Sequence, residues 1–247
     1  MECMTSPNYT QTKKVRQSTA DLCVNQMRGR ESELSLNNVL IRMLSYAFLL
    51  LGAFLILAFI INRKQIHGFD NWLIGLVTRL YSPTSTAVMK GFTFVGSGLC
   101  VTLLALLILF LLLKIGYRWE LIFYIGVIAG SGLLNMLLKA IFQRERPDIQ
   151  RIVQASGYSF PSGHSMAAFT LYGITIYFLW KHARSDWLRV TIVTVGIIMI
   201  LMIGISRIYL GVHYPSDVVG GYAIAAAWLT ASIGSYEHFL KKHWQSR

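Results

Sequence analysis

Three short stretches of this chain hold side chains whose types and spacing could do chemistry. Lys139 is followed seven residues later by Arg146–Pro147. Pro161, Ser162, Gly163 and His164 form the second stretch, and Ser206–Arg207 followed by His213 and Asp217 forms the third. Lys139, Arg146 and Arg207 are cations near the ends of apolar runs. Ionisable groups at membrane depth are costly and mark function. Three close cations repel one another unless a multivalent anion sits among them, and the planar fork of Arg suits phosphate oxygens. Ser162–Gly163 immediately precedes an apolar run. Ser is a good helix cap, Gly lets backbone approach a ligand, and free N–H groups at a helix start bind anions. Together they describe a phosphate pocket.

The remaining residues supply roles for phosphoryl transfer. A carboxylate at Asp217 within reach of one ring nitrogen of His213 would fix the tautomer and stabilise the imidazolium. The other nitrogen is then a nucleophile toward phosphorus. His164 can protonate the departing oxygen and later deprotonate an attacking water, while the cations stabilise transition-state charge. Taken singly, a histidine at a helix end is more often a hydrogen-bonded surface residue, and a lysine there more often a snorkelling anchor. The constellation outweighs those readings. Arg144 and Arg151 read first as solvated loop charges paired with Glu145 and Asp148, with contact to the substrate as the second reading. A cationic pocket does not suit magnesium, which wants carboxylate oxygens, so neither a metal nor another cofactor is expected.

Elements must bring these stretches together. The chain has 247 residues, 54% hydrophobic and only 14% charged, with a mean hydropathy of +0.51. A soluble domain carries about a quarter charged residues. Six apolar runs, 39–61, 96–115, 121–141, 162–180, 187–205 and 218–240, are each near the ~20 residues needed to cross the hydrocarbon. The run at 162–180 is the shortest in its uncharged part. Lipid admits only internally bonded backbone, and no alternating barrel strands are seen. The fold class expected is therefore all-α, a six-transmembrane-helix bundle spanning residues 39–240. An amphipathic stretch, Phe69 to Leu80, presents Trp72, Leu73, Leu76, Val77 and Leu80 on one face and suits an interfacial helix between spans one and two. Residues 1–38 are polar and read as a disordered cytoplasmic tail, and 241–247 as a short second one.

Alternating spans return to the same face. The connection between spans three and four, and that between spans five and six, must lie at one membrane surface, so all three stretches meet there. Fourteen of the 23 Lys and Arg residues fall on the side of the two termini and nine on the other. That bias places both termini in the cytoplasm and the cluster at the extracytoplasmic face of a cell membrane. It also accounts for much of the net charge of +12 without nucleic acid, for which no basic stretch interleaved with aromatics exists. Cys3, Cys23 and Cys100 offer neither a disulfide framework nor zinc spacing.

These residues carry a resemblance. Lys139 with Arg146–Pro147, then Pro161-Ser162-Gly163-His164, then Ser206-Arg207 with His213 and Asp217, resemble the three signature motifs of the type 2 phosphatidic acid phosphatase superfamily, membrane branch. The order and spacing agree across all the defined positions. The resemblance implies His213 as nucleophile, Asp217 as its orienting partner and His164 as acid and base. It implies Lys139, Arg146, Ser162, Gly163 and Arg207 as phosphate ligands. It also implies a phosphorylated membrane lipid as substrate: phosphatidylglycerol phosphate, phosphatidic acid or undecaprenyl diphosphate. The bilayer is the one partner expected; no obligatory protein partner is implied. A lipid phosphotransferase with the same phosphohistidine and a non-water acceptor fits the same residues. A non-catalytic lipid binder fits worse, because binding alone needs neither the acid–base pair nor Asp217.

Overall fold

The computed structural model describes residues 37–116, 118–148 and 151–245; the expected tail lies almost wholly outside them, as do the last two residues. Every regular element among the described residues is helical. They are α1 (Asn37–Asn62), α2 (His67–Thr78), α3 (Pro83–Val95), α4 (Gly98–Ile115), α5 (Arg118–Phe142), α6 (Gly163–His182), α7 (Asp186–Tyr209) and α8 (Pro215–Gln245). Serines start four of them. Ser82, Ser97, Ser162 and Ser185 each accept the backbone N–H three residues on, at the heads of α3, α4, α6 and α7, satisfying one of the donors a helix start leaves open. At the other end of α4, Gly116 sits at φ 85° and its N–H bonds the carbonyls of Leu112 and Leu113. That left-handed stop favours glycine.

Five helices, α1, α4, α5, α7 and α8, are long and apolar enough to cross a bilayer. On α4, Leu99, Leu103, Leu106, Leu107, Phe110 and Leu113 are each more than half exposed. An apolar face of that extent belongs in lipid, not water. The fourth expected span, α6, is 20 residues long but falls short of the others in apolar content. The reason is its position. It packs against α4, α5 and α7 and buries Ser165, Met166, Ala168, Thr170, Leu171, Ile174 and Phe178. A helix wrapped by protein can hold polar groups that pair inside: Thr170 Oγ1 meets Ser131 Oγ of α5 at 2.8 Å.

Lipid tails are as apolar as leucine, so close packing rather than water exclusion joins such helices. A Cβ at Gly130 of α5 would fall 2.3 Å from the ring of Trp228 of α8, whose indole N–H donates to Val127 O at 3.0 Å. One cluster matters for the site. Phe54 and Ala58 of α1, Met166 of α6 and Ile224 and Ala225 of α8 enclose Phe160. Phe54 stacks on that ring at 5.4 Å and Phe142 meets it edge-on at 5.2 Å, fixing the chain just before Pro161.

The described chain groups into two compact units. One runs from Leu44 to Ile233 and contains the packing contacts described above and the cleft described below. The other comprises the flanking segments up to Met43 and from Gly234, which touch through Met43 and Gly234 themselves.

The connection between α1 and α4 holds two helices where one was expected. Ser82 as cap with Pro83 in the first turn is a helix-start signal, but the body of α3 is too polar to show an apolar face by pattern. Both α2 and α3 pack on α7.

Candidate active site

Six segments converge on one cleft of about 590 Å³. Its wall includes Lys139 from the end of α5, Arg146 from the α5–α6 connection, and Gly163 and His164 from the head of α6. Arg207 from the end of α7 and His213 from the α7–α8 connection complete it. The helix α3 adds Lys90 and Thr93. Gly211, at φ 73°, donates its N–H to Ile208 O, and Val212 N–H returns to Arg207 O. That tight reversal, favoured by glycine, aims His213 back at the helix it has just left. Asp217 and Ser162 lie behind the wall, both fully buried.

The hydrogen bonds decide the tautomer of His213. Its Nδ1 lies 3.3 Å from Ser159 Oγ and 3.5 Å from Asp217 Oδ2. Ser159 also bonds Asp217 Oδ2. An ionised carboxylate only accepts, so Ser159 spends its one proton there and must accept from Nδ1–H. On the other side, Arg146 Nη1 sits 3.3 Å from Nε2. A guanidinium only donates, so Nε2 presents its lone pair. Two independent arguments thus put the proton on Nδ1 and the lone pair on the nitrogen facing the cleft. Burial pushes the His213 pKa down to about 4; the hydrogen bond and charge of Asp217 pull it up, and Arg146 and Arg207 push it down.

The cations differ in what they have left to give. Arg146 is engaged throughout: Nε donates to Gly157 O at 2.9 Å, Nη1 to Val212 O at 2.7 Å and toward Nε2, Nη2 to Ser156 O at 2.8 Å and Tyr158 O at 3.5 Å. It ties the 156–158 segment to the His213 loop. The Lys139 ammonium makes no hydrogen bond among the described residues. Arg207 bonds Thr93 through Nη1, while its Nε is buried without a partner. A buried, unsatisfied guanidinium N–H is costly; in Arg207 it stands in the wall of a cleft that an anion could fill. The Ser162 hydroxyl serves the helix start, accepting from Ser165 N–H at 3.4 Å and Ser165 Oγ at 2.9 Å. A Cβ at Gly163 would lie 3.0 Å from Asn135 Oδ1, so the Asn135 amide would have to give way to a side chain there. The His164 ring makes no hydrogen bond among the described residues.

Several residues here escaped sequence reasoning. Ser159 lies in a loop with no pattern around it. Asp70 carries the one signal that was available, a lone acid in an otherwise apolar stretch of α2. The expectation for Arg144 is corrected. It is not a solvated loop charge paired with Glu145 or Asp148; its side chain is 11% exposed and bridges Asp217 Oδ1 at 2.6 Å and Asp70 Oδ2 at 2.9 Å. Two buried carboxylates demand a cation, and Glu145 and Asp148 face outward. Arg151 is exposed as expected, but it donates to Pro147 O at 2.9 Å rather than to an acid. Among the described residues no group of three or more His, Cys, Asp or Glu side chains converges as metal ligands would.

Known proteins of one family resemble this chain. The profile of the PAP2 superfamily matches residues 120–240. Phosphatidylglycerophosphatase B of Bacillus subtilis is 36% identical over 175 residues, covering 69% of this chain and 85% of that protein. An undecaprenyl-diphosphatase of Sulfolobus acidocaldarius is 27% identical over 191 residues, 75% of this chain and 88% of that one. The crystal structure of a transmembrane PAP2-type phosphatidylglycerolphosphate phosphatase from Bacillus subtilis superposes with a TM-score of 0.73 at 31% identity, over 77% of this chain and 96% of that one. With its bilayer-length apolar helices and its cationic cleft around a histidine pair, the chain belongs to the PAP2 superfamily as a membrane-integral phosphatase.

Proposed function

We propose that the protein hydrolyses the terminal phosphate of a membrane lipid through a phosphohistidine on His213. The observation that carries this is the Nε2 lone pair facing a cleft whose other cations, Lys139 and Arg207, have unused donors. The substrate phosphate enters between them, with the free N–H groups at Gly163 and the head of α6 completing the cradle. Arg146 holds the loops and releases one donor to the phosphate as it displaces the contact with Nε2. Attack by Nε2 forms the N–P bond and breaks the bond to the lipid oxygen, which takes a proton from His164. The imidazolium is stabilised through Ser159 and Asp217. Water then attacks phosphorus, giving its proton to His164, and inorganic phosphate leaves His213 free. The chain supplies every step, and no metal is assigned.

The substrate is a phosphomonoester or diphosphate lipid: phosphatidylglycerol phosphate, phosphatidic acid or undecaprenyl diphosphate. Two of these correspond to what the relatives are named for. We place six spans in the membrane, α1, α4, α5, α6, α7 and α8, as one domain over residues 39–240. Both termini are cytoplasmic and the cleft opens at the extracytoplasmic face, following the charge bias. Phe69, Trp72, Leu76 and Leu80 point outward, which supports seating α2 in the interface.

The test is phosphate release by purified protein in detergent from a panel of these lipids and diacylglycerol diphosphate. An alkaline quench with labelled substrate is added to trap the intermediate. Label should remain on wild-type protein and be absent from His213→Ala. Release of no phosphate from any member would overturn the proposal.

A further inference from the structure

We propose that Asp70 and Arg144 form a relay behind the cleft, positioning residues that set the orientation and charge of Asp217 and through it the reactivity of His213. The inference rests on the reading of His213 as nucleophile.

The geometry is a chain of five side chains from four parts of the fold. Asp70 of α2 accepts from Ser216 N at 2.9 Å, from Ser216 Oγ at 2.8 Å and from Arg144 Nη2 at 2.9 Å. Arg144 Nη1 donates to Asp217 Oδ1 at 2.6 Å and to Ser216 Oγ at 2.8 Å. The guanidinium lies over the ring of Tyr214 at 4.1 Å. Asp217 Oδ2 is thereby left for Tyr214 N–H at 2.8 Å, Ser159 Oγ and the nearby Nδ1 of His213. Both carboxylates are 0% exposed.

Asp70 divides the fork of Arg144. Were it absent, both Nη groups could turn to Asp217 and take both of its oxygens, the arrangement a carboxylate and a guanidinium prefer. Oδ2 would be drawn off Ser159 and Nδ1. With Asp70 in place the contact to Asp217 stays single, and the three charges sum to one net negative behind the imidazole. That charge opposes the groups facing His213 from the cleft side: Arg146 of the α5–α6 connection, Arg207 of α7, His164 of α6 and Lys139 of α5. A clamp that merely joined α2 to α8 needed only Ser216. The bond to Asp217 Oδ1 adds a second function.

The experiment compares Asp70→Asn and Arg144→Lys in the full chain in detergent, each also combined with Asp217→Asn. It records kcat, KM, the pH profile of kcat/KM and the thermal midpoint. Lysine keeps the charge but cannot span two carboxylates as a fork does. Each single variant should lower kcat by roughly tenfold to a hundredfold, the loss of a charge-assisted hydrogen bond, with KM changed less than about twofold. In Asp70→Asn the acid limb should move to lower pH, because a less negative surrounding disfavours the imidazolium. Once Asp217→Asn is present, neither change should cost more, since residues acting as a unit are not additive. Wild-type kcat and limb in a folded Asp70→Asn enzyme, or an undiminished cost beside Asp217→Asn, overturns the relay. If Asp70→Asn does not fold, Arg144→Lys decides by kcat, KM and its cost beside Asp217→Asn. His213→Ala is the control: its full activity sinks the nucleophile assignment, whereas its inactivity beside a normal Asp70→Asn sinks the relay alone.

Discussion

Removing the hydroxyl of Ser159 is the most informative single change at the site. Ser159 bonds Asp217 Oδ2 and accepts from His213 Nδ1 at 3.3 Å. Ser159→Ala deletes both bonds, each involving a charged or charging group and worth ~1.5–3 kcal/mol. The imidazole does not lose its partner altogether. Nδ1 is already 3.5 Å from Asp217 Oδ2, so a shift of about half an ångström makes a direct bond and recovers one of the two. The net loss is then about one charge-assisted bond, or roughly tenfold to a hundredfold in kcat. KM should barely move, because Ser159 faces away from the phosphate. Asp217→Asn should cost far more. It removes the negative charge, and by analogy with the serine-protease triad the loss is on the order of 10³- to 10⁴-fold. The assay is phosphate release at saturating lipid in mixed micelles, with size exclusion and a thermal midpoint to show that the variants fold. Ser159→Ala within about twofold of wild type would show the hydroxyl to be a bystander. A loss as large as that of Asp217→Asn would show that the imidazole never closes on the carboxylate, and the argument from distance would fail.

Further expectations follow from the same geometry. His213→Ala should abolish turnover while leaving the thermal midpoint within a few degrees, since its ring touches the cleft and the Ser159–Asp217 pair rather than the helix core. Arg207→Ala and Lys139→Ala should raise KM and weaken vanadate inhibition by about tenfold or more, as donors to phosphate are lost; unchanged vanadate binding would exclude both from the cradle. The acid limb of kcat/KM should lie near the His213 pKa of about 4: nucleophilic attack needs the neutral ring, so activity is full well above that pH and is lost as pH falls through it. The titration of the lipid phosphate itself is measured separately; an enzyme limb at or above the ordinary histidine value of about 6.5 would contradict the burial argument. Activity should persist in EDTA, and complete loss on chelation would contradict the metal-free steps proposed.

That Lys139, Arg146, Gly163, His164, Arg207 and His213 would gather in one cleft was legible in the chain itself, because side-chain types suited to phosphate stand at the ends of its apolar runs. The convergence of the two distant connections was legible too, since alternating spans must return to the same membrane face. Residue type and apolar length suffice for such inferences. What they could not reach is how each donor is spent. Arg146, a phosphate ligand by type, has its fork filled by backbone carbonyls, whereas Lys139 and the Nε of Arg207 are left open. Arg144, an ordinary loop charge by pattern, is drawn inward by two buried carboxylates. Ser159 and Asp70 come from a patternless loop and an apolar helix, and only packing brings them to Asp217. Hydrogen-bond partners across 58 or 146 residues of chain leave no local trace in either segment, because the period of a helix records which face is apolar, not which polar atom meets which. Even α6 shows this: its polar residues weaken the signal of a span because its neighbours, rather than lipid, surround it.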